Sequence, residues 1–160
     1  MIARAAQPDD ASAIAAIYSQ GIEDRVATFE TEPRSATDVL RWFDGRHPIV
    51  VVERDGAVVA FASTSAYRAR ACYAGIAEFS VYVARDHRGT GAGRVAMAAL
   101  IEHATQAGLW KLLSRVFPEN TASRTLLARM GFREVGTYHR HGQLDGQWRD
   151  TVIVEKLLGP

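Results

Sequence analysis

Three glycines alternate with small residues between two arginines in Arg88-Gly89-Thr90-Gly91-Ala92-Gly93-Arg94. A β-branched and aromatic run, residues 77–83, precedes this segment, and Met97, Leu100, Ile101 and Ala104 follow it at helical spacing. The pattern predicts a strand, a tight turn and a helix. Glycines remove the Cβ atoms that would hold a ligand away from the backbone. The first amides of the helix have no intrahelical acceptor and lie at the positive end of its dipole. Such a turn holds an anion, and Arg88 and Arg94 add full positive charge. A diphosphate suits it. The segment lacks the Gly-Lys-Ser/Thr ending of a P-loop, and its glycines do not have the G-x-G-x-x-G spacing of a dinucleotide fold. From these residues alone, a tight turn that binds nothing is the competing reading.

Other residue types invite chemistry elsewhere. Arg68 and Arg70 stand two apart. In an extended segment they share a face, where two guanidinium forks take a carboxylate or phosphinate bidentately; two solvated surface arginines are the alternative. His139 and His141 have the same spacing, but no carboxylate or cysteine with ligand spacing accompanies them, so no metal is expected. His87 reads as part of the glycine turn. The single cysteine, Cys72, excludes an internal disulfide and reads as a small buried hydrophobe. Trp42, Trp110 and Trp148 read as core or interface residues.

These residues need a scaffold. At 160 residues, with 48% hydrophobic and 23% charged side chains, the chain fits one domain, residues 1–160. A formal net charge of +1 gives no reason to expect nucleic acid or an anionic membrane as partner. No apolar run approaches the ~20 residues of a membrane span, and the first residues lack a signal-peptide pattern. A cytoplasmic protein is expected. Residues 2–5 read as a strand. Pro8-Asp9-Asp10 opens a helix whose apolar face is Ile14, Ile17 and Tyr18. Residues 22–33 read as a loop. Ser35 to Asp38 forms a capping box, with its helix running to about Gly45. Residues 49–53 and 58–63 form a hairpin around Asp55-Gly56. Residues 67–70 lie at a strand end or loop. The glycine turn covers 87–93 and its helix 94–107. A strand at 111–117 and a helix at 120–130 follow. Strands at 132–140 and 148–158 are joined through Asp145-Gly146. This order predicts a mixed α/β sheet covered by helices on both faces.

Arg88-Gly89-Thr90-Gly91-Ala92-Gly93 resembles the R/Q-x-x-G-x-G/A signature of the GNAT superfamily of N-acetyltransferases, with Asn120 and Gly131-Phe132 downstream as in that superfamily. Nearly the whole chain resembles one subgroup, the phosphinothricin, methionine sulfoximine and arsinothricin N-acetyltransferases. The similarity lies in Thr28-Phe29-Glu30-Thr31-Glu32-Pro33, Tyr67-Arg68-Ala69-Arg70, Tyr73, residues 77–83 and Asp145-Gly146-Gln147-Trp148-Arg149-Asp150. The resemblance implies a mostly antiparallel central sheet with two splayed parallel strands and about four helices. It implies acetyl-CoA as cosubstrate, with no metal, and a small amino-acid-like acceptor. Residues Arg88, Gly89, Thr90, Gly91, Ala92, Gly93 and Arg94 would hold the diphosphate. Main-chain groups of Val81, Tyr82 and Val83 would hold the pantetheine arm, and an amide near Val81 would polarise the thioester carbonyl. Asn120 and Ser123 would complete the cofactor contacts. Glu78 would be the general base, and Arg68 and Arg70 would meet the acceptor's carboxylate. Phe29, Glu30 and His141 would wall its pocket. Many relatives have a tyrosine seven residues beyond the motif asparagine, as proton donor; here that position is Leu127. A homodimer and a resistance activity also follow from the resemblance. The alternatives are a protein N-terminal or lysine acetyltransferase and a non-catalytic acyl-CoA-binding module.

Overall fold

Strand β2 (Ile49–Arg54) is apolar at four successive positions, Ile49 to Val52, and all four are buried. A strand without alternation must be covered on both faces, and this one is. Val50 and Val52 pack with Met97, Leu100 and Leu112, whereas Ile49 and Val51 pack with Ile14, Ile17, Val39 and Phe61. The structure, a computed structural model, describes residues 1–159. Around β2 it sets β1 (Ile2–Ala5), β3 (Ala57–Ala66), β4 (Ile76–Val83), β5 (Lys111–Val116), β6 (Arg133–Leu144) and β7 (Gln147–Leu157) in one sheet, ordered β1-β2-β3-β4-β5-β7-β6. Only β4 and β5 are parallel. Helices α1 (Ala11–Asp24) and α2 (Ala36–Leu40) cover one face; α3 (Ala92–Gln106) and α4 (Thr121–Arg129) cover the other. No helix among the described residues is long and apolar enough to cross a membrane.

Element types and order agree with the sequence reading, and several boundaries do not. Helix α1 runs on through Ile22, which is 1% exposed, to Asp24, so the loop starts later than residue 22. The Ser35–Asp38 capping box forms, but α2 stops at Leu40. Beyond it, i→i+3 bonds such as Trp42 N–H to Val39 O (2.9 Å) tighten the chain into 3₁₀ turns. Both Asp-Gly hairpins form with positive φ at each turn residue. Strand β6 is longer than expected because its register shifts between Tyr138 and Gly142, where Arg140 takes φ 48°. Residues 67–70 are a bend, so the same-face argument for Arg68 and Arg70 does not apply. Cys72 is exposed rather than buried, in a 3₁₀ turn after that bend. Trp110 and Trp148 are exposed and do not join the core; Trp42 packs on Tyr18.

Asp10 ties β1 to the start of α1. Its carboxylate takes hydrogen bonds from Arg4 at 2.7 and 2.9 Å and from the Gln7 amide at 2.7 Å. The Arg4 guanidinium, then the Gln7 amide, hold Asp10 below the usual carboxylate range against the cost of its burial. A depressed carboxylate stabilises the fold above its unfolded value and loses that contribution as pH falls through its folded value. Asp10→Asn therefore costs about 2 kcal/mol at neutral pH. The gap between wild type and variant should close below about pH 4, which denaturant melts across pH 2.5–7 will read.

Candidate active site

Strands β4 and β5 pair through Ile76↔Lys111, Ala77↔Leu112 and Glu78↔Leu113, and there the ladder ends. Both continue, β4 to Val83 and β5 to Val116, while β4 keeps β3 on its other side and β5 keeps β7. The sheet is thus forked at Glu78. Ser114 Oγ reaches across the fork to donate to the Phe79 carbonyl at 2.8 Å. The fork opens into a cleft of about 580 Å³ walled by Phe29, Glu78, Tyr82, Arg115, His141 and Thr151, among others. The Thr151 hydroxyl is buried on this wall without a partner. A buried hydroxyl in that state accepts or donates a hydrogen bond to whatever enters.

Glu78 stands at the crotch of the fork. Its Oε1 accepts from Arg115 Nη2 at 3.0 Å, and Arg115 Nη1 lies 3.2 Å from His141 Nε2. His139 turns instead to Asp150 at 3.2 Å. The bulge at Arg140 separates the two histidines, which therefore do not share partners as their spacing suggested. Tyr82 is stacked on Phe61. Burial pushes the phenols of both Tyr82 and Tyr18 up. Tyr82 is therefore an uncharged hydroxyl on the cleft wall. Leu127, at the position where many relatives carry a tyrosine, is 1% exposed within the core.

The glycine turn lies beyond the end of β4. Gly89 and Gly91 adopt φ 77° and 90°, and α3 starts at Ala92, two residues earlier than expected. Its first backbone bond runs from Val95 N–H to Gly91 O, leaving the amides of Ala92, Gly93 and Arg94 without intrahelical acceptors. Gly93 is where α3 meets its neighbours: a Cβ there would lie 3.2 Å from Leu126 Cδ2 and 3.5 Å from Val83 Cγ2. Thr90 Oγ1 donates to the His87 carbonyl. Arg88 is paired with Asp24 at 2.7 Å, while Arg94 is exposed. A diphosphate fits these free amides, and the β4 edge beyond Glu78, unpaired on its β5 side, fits an amide-bearing arm added like a strand.

The remaining expected site residues are spread more widely. Phe29 lines the cleft edge-on to Phe117, and Glu30 lines it while paired with Arg34 at 2.7 Å. Val81 and Val83 are half-buried on β4. Asn120 caps α4 by accepting from Ser123 N–H and donates to the Val26 carbonyl at 3.3 Å; neither Asn120 nor Ser123 lines the cleft. Arg68 and Arg70 are exposed outside the cleft lining, Arg68 lying over the Tyr67 ring. The sequence reading missed Arg115, Ser114 and Thr151. The one available signal was a charge, Arg115, inside the largely apolar stretch Leu112-Leu113-Ser114-Arg115-Val116-Phe117.

A forked sheet with a glycine turn at the head of the following helix defines an acetyltransferase scaffold. The sequence matches the Acetyltransferase (GNAT) family over residues 15–132, and the chain belongs to that family. It is similar to the phosphinothricin N-acetyltransferase of Alcaligenes faecalis, with 35% identity over 97% of this chain and 81% of that one. Its structure resembles the ribosomal-protein-alanine N-acetyltransferase of Brucella melitensis, with TM-score 0.93 and 33% identity over 99% of this chain and 100% of that one. It also resembles a phosphinothricin acetyltransferase from Sinorhizobium meliloti in complex with acetyl-CoA, with TM-score 0.90 and 29% identity over 99% of this chain and 88% of that one.

Proposed function

We propose that this acetyltransferase moves an acetyl group from acetyl-CoA to the α-amino group of a small glutamate-like amino acid, of the phosphinothricin, methionine sulfoximine or arsinothricin type. The carrying observation is the position of Glu78: a carboxylate at the crotch of the fork, on the wall of a cleft sized for a small molecule. The Alcaligenes faecalis relative supports the acceptor class. Bound acetyl-CoA supplies an activated acetyl thioester. The chain's own work is then threefold. Amides at the head of α3 hold the diphosphate. The free β4 edge aligns the arm with the cleft. Glu78, directly or through a water, takes the proton that an α-ammonium must lose before it attacks. The departing thiolate takes its proton from water or from the neutral Tyr82 hydroxyl on the cleft wall.

The Brucella melitensis similarity favours a second reading, transfer to a protein N-terminus. An acceptor panel followed by free-thiol release separates them. Phosphinothricin, methionine sulfoximine, arsinothricin and other free amino acids should be acetylated at least about tenfold faster at equal concentration than alanine-terminated peptides. Preference for the peptides overturns the proposal. The same reading makes the protein cytoplasmic, homodimeric and protective against such amino-acid analogues. Sedimentation equilibrium checks the dimer.

A further inference from the structure

Arg88 opens the glycine turn, yet its charge is not free for a ligand. Its Nη1 lies 2.7 Å from Asp24 Oδ2. Asp24 also accepts from Arg85 at 2.9 and 3.2 Å, and Arg85 donates to Glu23 at 3.1 Å. The Arg85 amide donates to Gln20 Oε1 at 2.8 Å. Glu23 and Asp24 end α1, where the helix dipole disfavours a carboxylate. Arg85 alone already ties that helix end to the chain after β4. The further contact of Asp24 with Arg88 joins side chains 24% and 40% exposed, and a pair so open to water adds little stability. Its larger effect is electrostatic: it sets a full negative charge against the arginine of an anion site.

We infer that Asp24 is a positioning residue that withholds Arg88 from the coenzyme, and so keeps coenzyme A from being held too tightly after transfer. The inference rests on the proposed binding of the diphosphate at residues 88–94 and deepens it. Acetyl-CoA and coenzyme A carry the same diphosphate. Any grip on that group is uniform: it holds substrate and product alike and does nothing for the chemical step. A fully charged grip would therefore slow the departure of the product. With Asp24 in place, the diphosphate must compete with a carboxylate for Arg88 or meet an arginine already neutralised. The free amides of residues 92–94 and the exposed Arg94 remain to hold it. Arg85 keeps Asp24 paired whether or not Arg88 leaves it, so the exchange strands no charge.

Calorimetry with acetyl-CoA and with coenzyme A tests the sign of the effect. Asp24→Asn keeps an oxygen for both arginines and removes the charge; it should bind each compound at least about fivefold more tightly than wild type. In stopped flow, coenzyme A should leave it at least about fivefold more slowly. A purely structural Asp24 would give weaker binding instead. Asp24→Glu keeps the charge and should stay within about threefold of wild type. Glu23→Gln removes a charge that meets Arg85, not Arg88, and should stay within about twofold. In an Arg88→Gln background the gain from Asp24→Asn should shrink below about twofold, since no arginine is left to release. Arg88→Gln alone gives a second reading that does not depend on the Asp24 variants: with Arg88 already withheld, its loss should weaken acetyl-CoA by less than about threefold. Unchanged or weaker binding in Asp24→Asn overturns the inference and leaves acetyl transfer standing. So does an equal gain in Glu23→Gln, a gain that persists without Arg88, or a loss of about tenfold or more in Arg88→Gln alone. A wild type that binds no acetyl-CoA overturns both.

Discussion

Glu78→Gln should lower turnover by about 10² to 10⁴ while changing the affinity for acetyl-CoA by less than about threefold. The size of the effect follows from what the residue is asked to do. An α-amino group is mostly protonated near neutral pH and is no nucleophile in that form. A group in the cleft must take the proton. Among the cleft-lining carboxylates, Glu30 is engaged by Arg34, and Glu78 sits where the two parallel strands part. Glutamine keeps the shape and a hydrogen-bonding oxygen for Arg115 but accepts no proton. The competing account makes Glu78 a structural partner of Arg115, to which it is paired at 3.0 Å. The two accounts differ in one respect. If the pair is structural, Glu78→Gln and Arg115→Gln lose comparable activity on every amine. If Glu78 is the base, Glu78→Gln loses far more turnover than Arg115→Gln does on the same amine. Turnover of Glu78→Gln equal to wild type at its optimal pH removes the residue from the mechanism.

The contrast between Glu78 and Arg115 shows where sequence reading carries and where it stops. Local rules reached the glycine turn, the Ser35–Asp38 cap and both Asp-Gly hairpins, because each is decided by residues within a few positions of one another. They reached the strand holding Glu78 as well. They did not reach Arg115, because its partner lies 37 residues away and across a fork in the sheet. No periodicity encodes a contact of that kind. They also placed Arg68 and Arg70 on one face by assuming an extended backbone, which the bend at residues 67–70 denies. The early loop boundary at residue 22 failed for a related reason. The helical end at Ile22 to Asp24 is held by long-range burial of Ile22 and by pairing of Asp24 with Arg85 and Arg88, besides a local cap in which left-handed Arg25 donates to the Ile22 carbonyl, a role that arginine does not advertise in sequence. Cys72 was misjudged because the tendency of cysteine to be buried is a composition rule, and its turn follows an exposed bend.

Gly91→Ala and Gly108→Ala form a matched pair that tests the glycine turn without confusing binding with stability. Both glycines flank α3 and take positive φ, 90° and 84°. A Cβ at Gly91 would meet only Met1 Cε at 3.9 Å, and one at Gly108 would meet nothing within 4 Å. Neither substitution therefore creates a clash, and each imposes the same left-handed backbone penalty of about 1 kcal/mol. The melting temperature should fall by roughly 3 °C in both. Their effects on acetyl-CoA should diverge. Relief of strain at Gly91 rotates the peptide planes that aim the amides of residues 92–94 outward, and the new methyl group stands where a diphosphate would approach. Relief at Gly108 disturbs only the carboxyl end of the helix, away from the fork. Gly91→Ala should weaken acetyl-CoA at least about tenfold by calorimetry, and Gly108→Ala should leave it within about twofold. Equal affinities in the two variants would mean that the turn at residues 88–94 is a structural corner, with the coenzyme held elsewhere on the chain.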